Sequence, residues 1–144
     1  MKFVIAILTC FTYLVSFAQT LPDQITFHYL QSKTTIGTNH TDNPRTPTCI
    51  RFTKNNNDIL GISCVDESKI VVFSISGVQS EKRDQETYTI TFFGYQYYAV
   101  GPVYSFLTYG YNFRTSRWNI MLENVADNSS DGTIRIFVNY FNMN

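Results

Sequence analysis

Alternating apolar and polar residues near the C-terminus constrain the fold of this chain most strongly. In residues 133–141, isoleucine, valine and tyrosine occupy every second position, and mostly polar residues lie between them. Residues 118–122 repeat the pattern with Trp118, Ile120 and Leu122. A period of two is typical of a strand with one buried face. The two segments should therefore pair as an antiparallel hairpin.

Similar short segments, separated by polar breaks, cover most of the chain. Residues 80–85 are charged and have no apolar face, so we interpret them as a turn. Residues 35–48 are rich in Thr, Asn and Pro, which predicts a long exposed loop or an extended lead-in. We expect an all-β fold, either an antiparallel β-sandwich or a small β-barrel. The predicted strands are 49–54, 59–65, 69–78, 86–98, 103–113, 117–125 and 133–141.

Residues 1–18 have the features of a secretory signal peptide. An early lysine precedes an apolar stretch over residues 3–15, and small residues follow at the two positions that a signal peptidase recognises. The apolar stretch is shorter than the roughly 20 residues needed to span a bilayer. We expect cleavage after Ala18, which leaves residues 19–144 as a single secreted all-β domain.

Two cysteines, Cys49 and Cys64, remain in the expected mature chain, and an oxidising compartment favours one disulfide between them. If they lie opposite each other in a hairpin, the turn is centred on Asn56-Asn57. A two-residue loop places the cysteines at a hydrogen-bonded pair, and a four-residue loop, 55–58, places them at a non-hydrogen-bonded pair. Because side chains are closer in the second arrangement, we expect the four-residue loop.

Two segments carry the acceptor motif for N-linked glycosylation. They are Asn39-His40-Thr41 and Asn128-Ser129-Ser130, and both lie in segments that are predicted as loops. We expect N-glycosylation at Asn39 and Asn128, in agreement with secretion.

The sequence contains no nucleophile elbow, metalloprotease helix or glycine-rich phosphate loop. Residues 127–132 resemble the opening of a calcium loop, but the twelfth position is Val138, and His28 and His40 lack the spacing of a zinc site. The chain has 11 basic and 11 acidic residues, so it offers no electrostatic footprint for nucleic acid or an anionic membrane. We expect no enzymatic activity, cofactor, metal, nucleic acid or membrane partner.

Aromatic residues are concentrated in residues 92–113, "FFGYQYYAVGPVYSFLTYGYNF". A change of pattern near Gly94 indicates a bulge or bend, and Gly101-Pro102 divides the stretch into the two strands of an aromatic hairpin. The rings either fill a core or form a pocket or partner surface. As candidate binding residues we select Tyr95, Tyr97, Tyr98, Tyr104, Tyr109 and Tyr111.

These features predict a secreted, N-glycosylated, non-enzymatic binding or interaction protein of an extracellular fluid. Its partner would be an extracellular protein, a glycan or a small hydrophobic molecule. The alternative is a calycin-like carrier of a small hydrophobic ligand inside a barrel, and a secreted hydrolase is a third hypothesis. A partner surface needs aromatic side chains that point outward and lie side by side, whereas a carrier needs them around an internal void.

Residues 86–141 also resemble a known family. A strand is followed by a turn at Tyr109-Gly110-Tyr111-Asn112, an apolar strand "WNIML" and a final "IFVNY". This order is similar to that of the small secreted insect proteins of the multiprotein bridging factor two family, named after a silkmoth transcriptional co-activator. The resemblance implies a secreted all-β protein, and the family name suggests co-activation. It supplies no functional residues.

Overall fold

The computed structural model describes residues 20–128 and 132–143, apart from the side chains of residues 127 and 128. The predicted signal peptide, 1–18, lies outside this part of the chain. No helix among the described residues has the length and apolar character needed to cross a membrane. The strands are β1 (Gln24–Ile36), β2 (Asn39–Asp42), β3 (Thr46–Lys54), β4 (Asp58–Ser63), β5 (Lys69–Arg83), β6 (Thr87–Tyr98), β7 (Gly101–Asn112), β8 (Arg117–Asn128) and β9 (Gly132–Phe141).

The strands form a closed, eight-stranded antiparallel β-barrel. From β3 to β9 each strand pairs with the next along the chain, and β1 closes the circle by pairing with both β3 and β9. The short strand β2 pairs with the end of β1 and lies outside the closed circle. The all-β prediction is thus confirmed, and of the two expected architectures the chain adopts the barrel.

The seven predicted strands are all present, with ends that shift by a few residues. For residues 35–48 the loop alternative was wrong and the extended alternative agrees better, because this segment contains the end of β1, all of β2 and the start of β3. Strand β2 has no apolar residue, so its extended conformation depends on pairing with β1 and leaves no alternation to detect. The turn predicted for residues 80–85 is shorter than expected, because β5 continues to Arg83 opposite β6.

The disulfide between Cys49 and Cys64 forms, as predicted, and joins β3 to the residue that directly follows β4. The predicted four-residue loop was wrong. Asn55 N–H donates to Asp58 O (2.8 Å) and Asp58 N–H donates to Asn55 O (3.3 Å), so a two-residue turn, Asn56-Asn57, connects the strands. The cysteines consequently occupy a hydrogen-bonded pair, in which Cys64 N–H donates to Cys49 O at 2.9 Å.

Two features explain why the shorter turn is formed. Ile75 N–H of β5 donates to Asn57 O (2.6 Å), so a third strand holds the tight turn. The Cα atoms of Cys49 and Cys64 are 5.3 Å apart, which is within the range that disulfides span and matches a hydrogen-bonded antiparallel pair. The closer spacing of a non-hydrogen-bonded pair is not required.

Alternate residues of the barrel strands point inward and fill the interior with side chains. Edge-to-face contacts join the rings of Phe27 and Phe52 (centroids 5.9 Å apart), Phe52 and Tyr140 (4.9 Å), and Phe92 and Tyr109 (6.2 Å). The buried apolar side chains are Phe27, Ile50, Phe52, Ile59, Val71, Phe73, Tyr88, Phe92, Leu107, Tyr109, Ile120, Leu122 and Tyr140.

The irregularity predicted near Gly94 lies in the neighbouring strand. The register of β5 against β6 shifts between Ile75 and Gly77 and again between Val78 and Ser80, so β5 carries the bulges. Gly94 permits the close approach of β5, because a Cβ at this position would overlap the carbonyl oxygen of Ser74. The backbone of the aromatic hairpin therefore packs tightly against β5 on one side.

Candidate functional site

Five aromatic side chains point outward from the β6–β7 hairpin, and we call them the outer aromatic face. Strand alternation places Phe93, Tyr95 and Tyr97 of β6 on the same side as Tyr104 and Phe106 of β7. The rings of Tyr95 and Tyr104 are 5.8 Å apart, and those of Tyr104 and Phe106 are 5.2 Å apart. Tyr95, Tyr97 and Tyr104 are 44%, 52% and 41% exposed. The face is therefore contiguous and accessible.

The register of the hairpin explains why these rings meet. Tyr95 lies directly opposite Tyr104, and Phe93 lies directly opposite Phe106. On the other side, Phe93 packs over Gly77 of β5, where an added Cβ would be 2.7 Å from the ring. The glycine thus provides the space that holds Phe93 against the sheet, and cross-strand pairing fixes the remaining rings.

The outer aromatic face lies in an uncharged part of the chain. No charged residue occurs between Glu86 and Arg114. The charge that faces Phe106 in the neighbouring strand is Glu123, and its carboxylate accepts a hydrogen bond from Arg135 at 2.9 Å. Protein interfaces are depleted of charge and enriched in aromatic residues at their centres. The composition of this face matches that pattern.

Tyr98 lies at the barrel end that carries the β6–β7 turn, which we call the mouth. Its hydroxyl donates to Gln96 Oε1 (2.8 Å) and accepts a hydrogen bond from Asn124 Nδ2. Ser105 Oγ donates to Asn124 Oδ1 at 2.6 Å. Gln96, Ser105 and Asn124 are buried, and burial raises the pKa of Tyr98. We call these four side chains, which these hydrogen bonds link, the mouth cluster.

The last two candidate tyrosines lie elsewhere. Tyr109 is 1% exposed and packs in the interior against Phe92 and Trp118, and this burial raises its pKa. Tyr111 is half-buried near the opposite end of the barrel, with its ring 4.9 Å from that of Trp118. The six candidates therefore do not form one site. Tyr95, Tyr97 and Tyr104 come together, whereas Tyr98, Tyr109 and Tyr111 do not join them.

Phe93 and Phe106 were omitted from the candidates, although the sequence contains the signal for them. Phe93 alternates in phase with Tyr95, and Phe106 alternates in phase with Tyr104. Each pair therefore had to share one face of its strand. The candidates were restricted to tyrosine, so phenylalanines on the same face of each strand were missed.

The predicted glycosylation sites differ in what the structure describes. Asn39 and Thr41 are exposed on β2, so the first acceptor motif is accessible. The side chain of Asn128 and residues 129–130 lie outside the described part of the chain. His40 Nδ1 is 3.1 Å from Thr35 Oγ1. Within residues 20–128 and 132–143, no group of three or more His, Cys, Asp or Glu side chains could hold a metal ion.

Fold and surface together define a disulfide-bonded, antiparallel β-barrel with an exposed aromatic face. Comparisons with protein-family models, with curated proteins and with solved structures each give no match for this chain. The resemblance of residues 86–141 to the bridging factor two family accordingly stays a prediction.

Proposed function

We propose that this chain is a secreted, N-glycosylated, non-enzymatic protein that binds an extracellular protein partner through its outer aromatic face. The observation that carries the proposal is the outward position of Tyr95, Tyr97 and Tyr104 on one face of the hairpin, with the rings of Tyr95 and Tyr104 in contact. The disulfide between Cys49 and Cys64 is consistent with an extracellular protein.

The position of the aromatic side chains favours surface binding over a carrier function. A carrier needs an empty space inside the barrel, but the rings of Phe52, Phe92, Tyr109 and Tyr140 occupy the interior and contact other rings there. A ligand would have to displace this packing. A partner at the outer aromatic face displaces only water.

Chemistry favours a protein as the partner. Tyrosine provides a large, rigid contact surface with a polar tip, and it is enriched among the residues that dominate protein–protein binding energy. Because Phe93 is packed over Gly77 and Tyr95 over Tyr104, the face loses little side-chain freedom when a partner binds. The absence of charged residues in the hairpin avoids the cost of burying charge.

Site-specific photo-crosslinking in the native extracellular fluid tests this proposal. A benzoylphenylalanine replaces Tyr104, and the matched control carries the same group at Arg51. Arg51 is exposed on β3, which lies four strands from β7 around the eight-stranded barrel and thus on the opposite wall. We expect a discrete crosslinked protein from position 104 and none from position 51. Unlabelled wild-type protein should compete for this crosslink.

A triple variant, Tyr95→Ser, Tyr97→Ser and Tyr104→Ser, should fold normally and fail to compete. Equal crosslinking from positions 104 and 51 would contradict the proposal, and so would competition by the triple variant. A crosslinked product of twice the chain mass would identify a second copy as the occupant and would overturn the assignment of a different protein as partner.

A further inference from the structure

A second surface feature, separate from the outer aromatic face, is a cleft of about 590 Å³ between β2 and β8. We call it the outer cleft. Its volume lies within the range of sites that bind small molecules. It is lined by Gln31, Ser32, Lys33, Thr35, His40, Asp42, Met121, Arg135, Phe137 and Asn139.

The lining residues of the cleft indicate that the sheet curls outward at β2. The strand order across this region is β2-β1-β9-β8, so a flat sheet would place β2 about 14 Å from β8. Nevertheless, His40 and Asp42 of β2 line the same space as Met121 of β8. The hairpin of β1 and β2 thus forms a wall over the outer surface of β9.

Phe137 and Met121 provide the apolar part of the cleft. Phe137 is central, because Lys33 of β1 lies opposite it on one side and Glu123 of β8 lies opposite it on the other. It is half-buried, so one part of the ring packs against the barrel and the other part faces the cleft. A flat apolar group would fit against this ring.

Three side chains around Phe137 offer hydrogen-bond donors to the cleft. Arg135 Nη1 donates to Glu123 at 2.9 Å, and the guanidinium has further N–H groups to offer. Lys33 Nζ is 3.9 Å from Asp42 Oδ1, at the limit of an ion pair, and both side chains are exposed. Asn139 Oδ1 accepts from Asn119, which leaves the amide nitrogen of Asn139 as a donor.

Charge alone does not favour a ligand of either sign, because Lys33 and Arg135 are balanced by Asp42 and Glu123. The position of the groups decides the matter. Asp42 is 65% exposed but lies on β2, across β1 from Phe137, whereas Arg135 is two residues from Phe137 on the same strand and is 51% exposed. Glu123 is 16% exposed and already accepts from Arg135. Exposed ion pairs contribute little energy, so an anion can add to Arg135 or replace Asp42 beside Lys33 at small cost.

We infer that the outer cleft binds a small amphipathic anion, with a flat apolar body on Phe137 and Met121 and one carboxylate beside Arg135 and Lys33. This site is independent of the proposed partner surface, because none of its lining residues belongs to the β6–β7 hairpin. A barrel with a filled interior can therefore still bind a small molecule on its outside.

Calorimetric titration with two matched compounds tests the inference. Naphthalene-2-carboxylate is the probe, and naphthalene-2-carboxamide is a neutral control of the same shape. We expect the carboxylate to bind about tenfold more tightly, since a charge-assisted hydrogen bond to Arg135 is stronger than a neutral one. Equal affinities, or no binding of the carboxylate at millimolar concentration, would overturn the inference.

Variants locate the site. Arg135→Gln should remove the preference for the carboxylate, whereas Arg51→Gln, at an exposed arginine of β3 that does not line the cleft, should not change it. Phe137→Ser should weaken both compounds, and Tyr104→Ser should weaken neither. Circular dichroism checks that each variant is folded. If Arg51→Gln has the same effect as Arg135→Gln, or if Phe137→Ser leaves both affinities intact, the cleft is not the binding site.

Discussion

The inward and outward faces of the β6–β7 hairpin use the same residue type for different purposes. Tyr109 and Tyr104 both lie on β7, but Tyr109 is 1% exposed and Tyr104 is 41% exposed. Tyr109 packs between Phe92 and Trp118, whereas Tyr104 contacts other rings on the surface. The difference follows from strand parity, because odd and even positions of a strand point to opposite sides.

This comparison shows that the many tyrosines of the hairpin have two separate roles, one in the core and one on the surface. The inward set belongs to the core, where each ring is surrounded by other side chains and its removal leaves a cavity. The outward set contributes little to the core and remains available for contact. Substitutions on the two faces should therefore separate stability from binding.

The two faces should differ most in the free energy of unfolding that is lost when one ring of each face is removed. Tyr109→Ala should lower the free energy of unfolding by about 3–5 kcal/mol, because it leaves a cavity among buried rings. Tyr104→Ala should change it by less than about 1 kcal/mol, since the ring is on the surface. Urea unfolding of both variants measures the contrast. Similar losses would show that the outer face also supports the fold.

Removal of the disulfide should have the next largest effect, and it should leave both faces of the hairpin intact. Cys49 and Cys64 are separated by 15 residues, and a loop of this size contributes about 3 kcal/mol on the chain-entropy model. The double variant Cys49→Ser, Cys64→Ser should therefore melt at a lower temperature. Retained crosslinking at position 104 in the folded variant would show that the disulfide is structural, and loss of crosslinking would contradict that.

The strands that carry both faces were predictable from the sequence, because their alternation is local. The C-terminal hairpin of β8 and β9 and the pairing of Cys49 with Cys64 needed only the pattern and the spacing of nearby residues. The outer aromatic face was predictable in part: Tyr95, Tyr97 and Tyr104 were selected, but Tyr109 was included with them although its strand parity differs from that of Tyr104.

The remaining features depend on contacts between distant segments. Barrel closure requires β1 to pair with β9, from Tyr29 opposite Phe141 to Ile36 opposite Ile134, and no local pattern encodes this pairing. Strand β2 is polar throughout and is defined by its neighbour. The outer cleft combines side chains from β1, β2, β8 and β9, so it could not be found before the topology was known.

Alkaline pH should destabilise the barrel interior, which the inward face of the hairpin shares with Tyr140 of β9. Burial, with a smaller contribution from the charge of Tyr98, raises the pKa of Tyr140 from 10.0 to about 12. Between these pH values the unfolded chain releases the proton and the folded chain keeps it, so the free energy of unfolding falls as pH rises. The slope per tyrosine approaches about 1.4 kcal/mol per pH unit. Unfolding measured from pH 9 to pH 12 should fall less steeply in Tyr140→Phe, and an unchanged slope would contradict this assignment.

Tyr98 provides the smallest expected effect and tests the separation of the two faces, because it belongs to neither face alone. The residue is 43% exposed at the mouth, but its hydroxyl joins Gln96 to Asn124 inside the barrel. Tyr98→Phe should lower the free energy of unfolding by about 1 kcal/mol, since the two buried amides lose a partner. Urea unfolding measures this loss, and Tyr97→Phe, at the neighbouring outward position, should cause almost none.

A loss of crosslinking at position 104 in Tyr98→Phe, with stability unchanged, would instead place Tyr98 in the partner surface. In that case the mouth cluster would contribute to partner binding, and the binding residues would not be confined to the outward face of the hairpin.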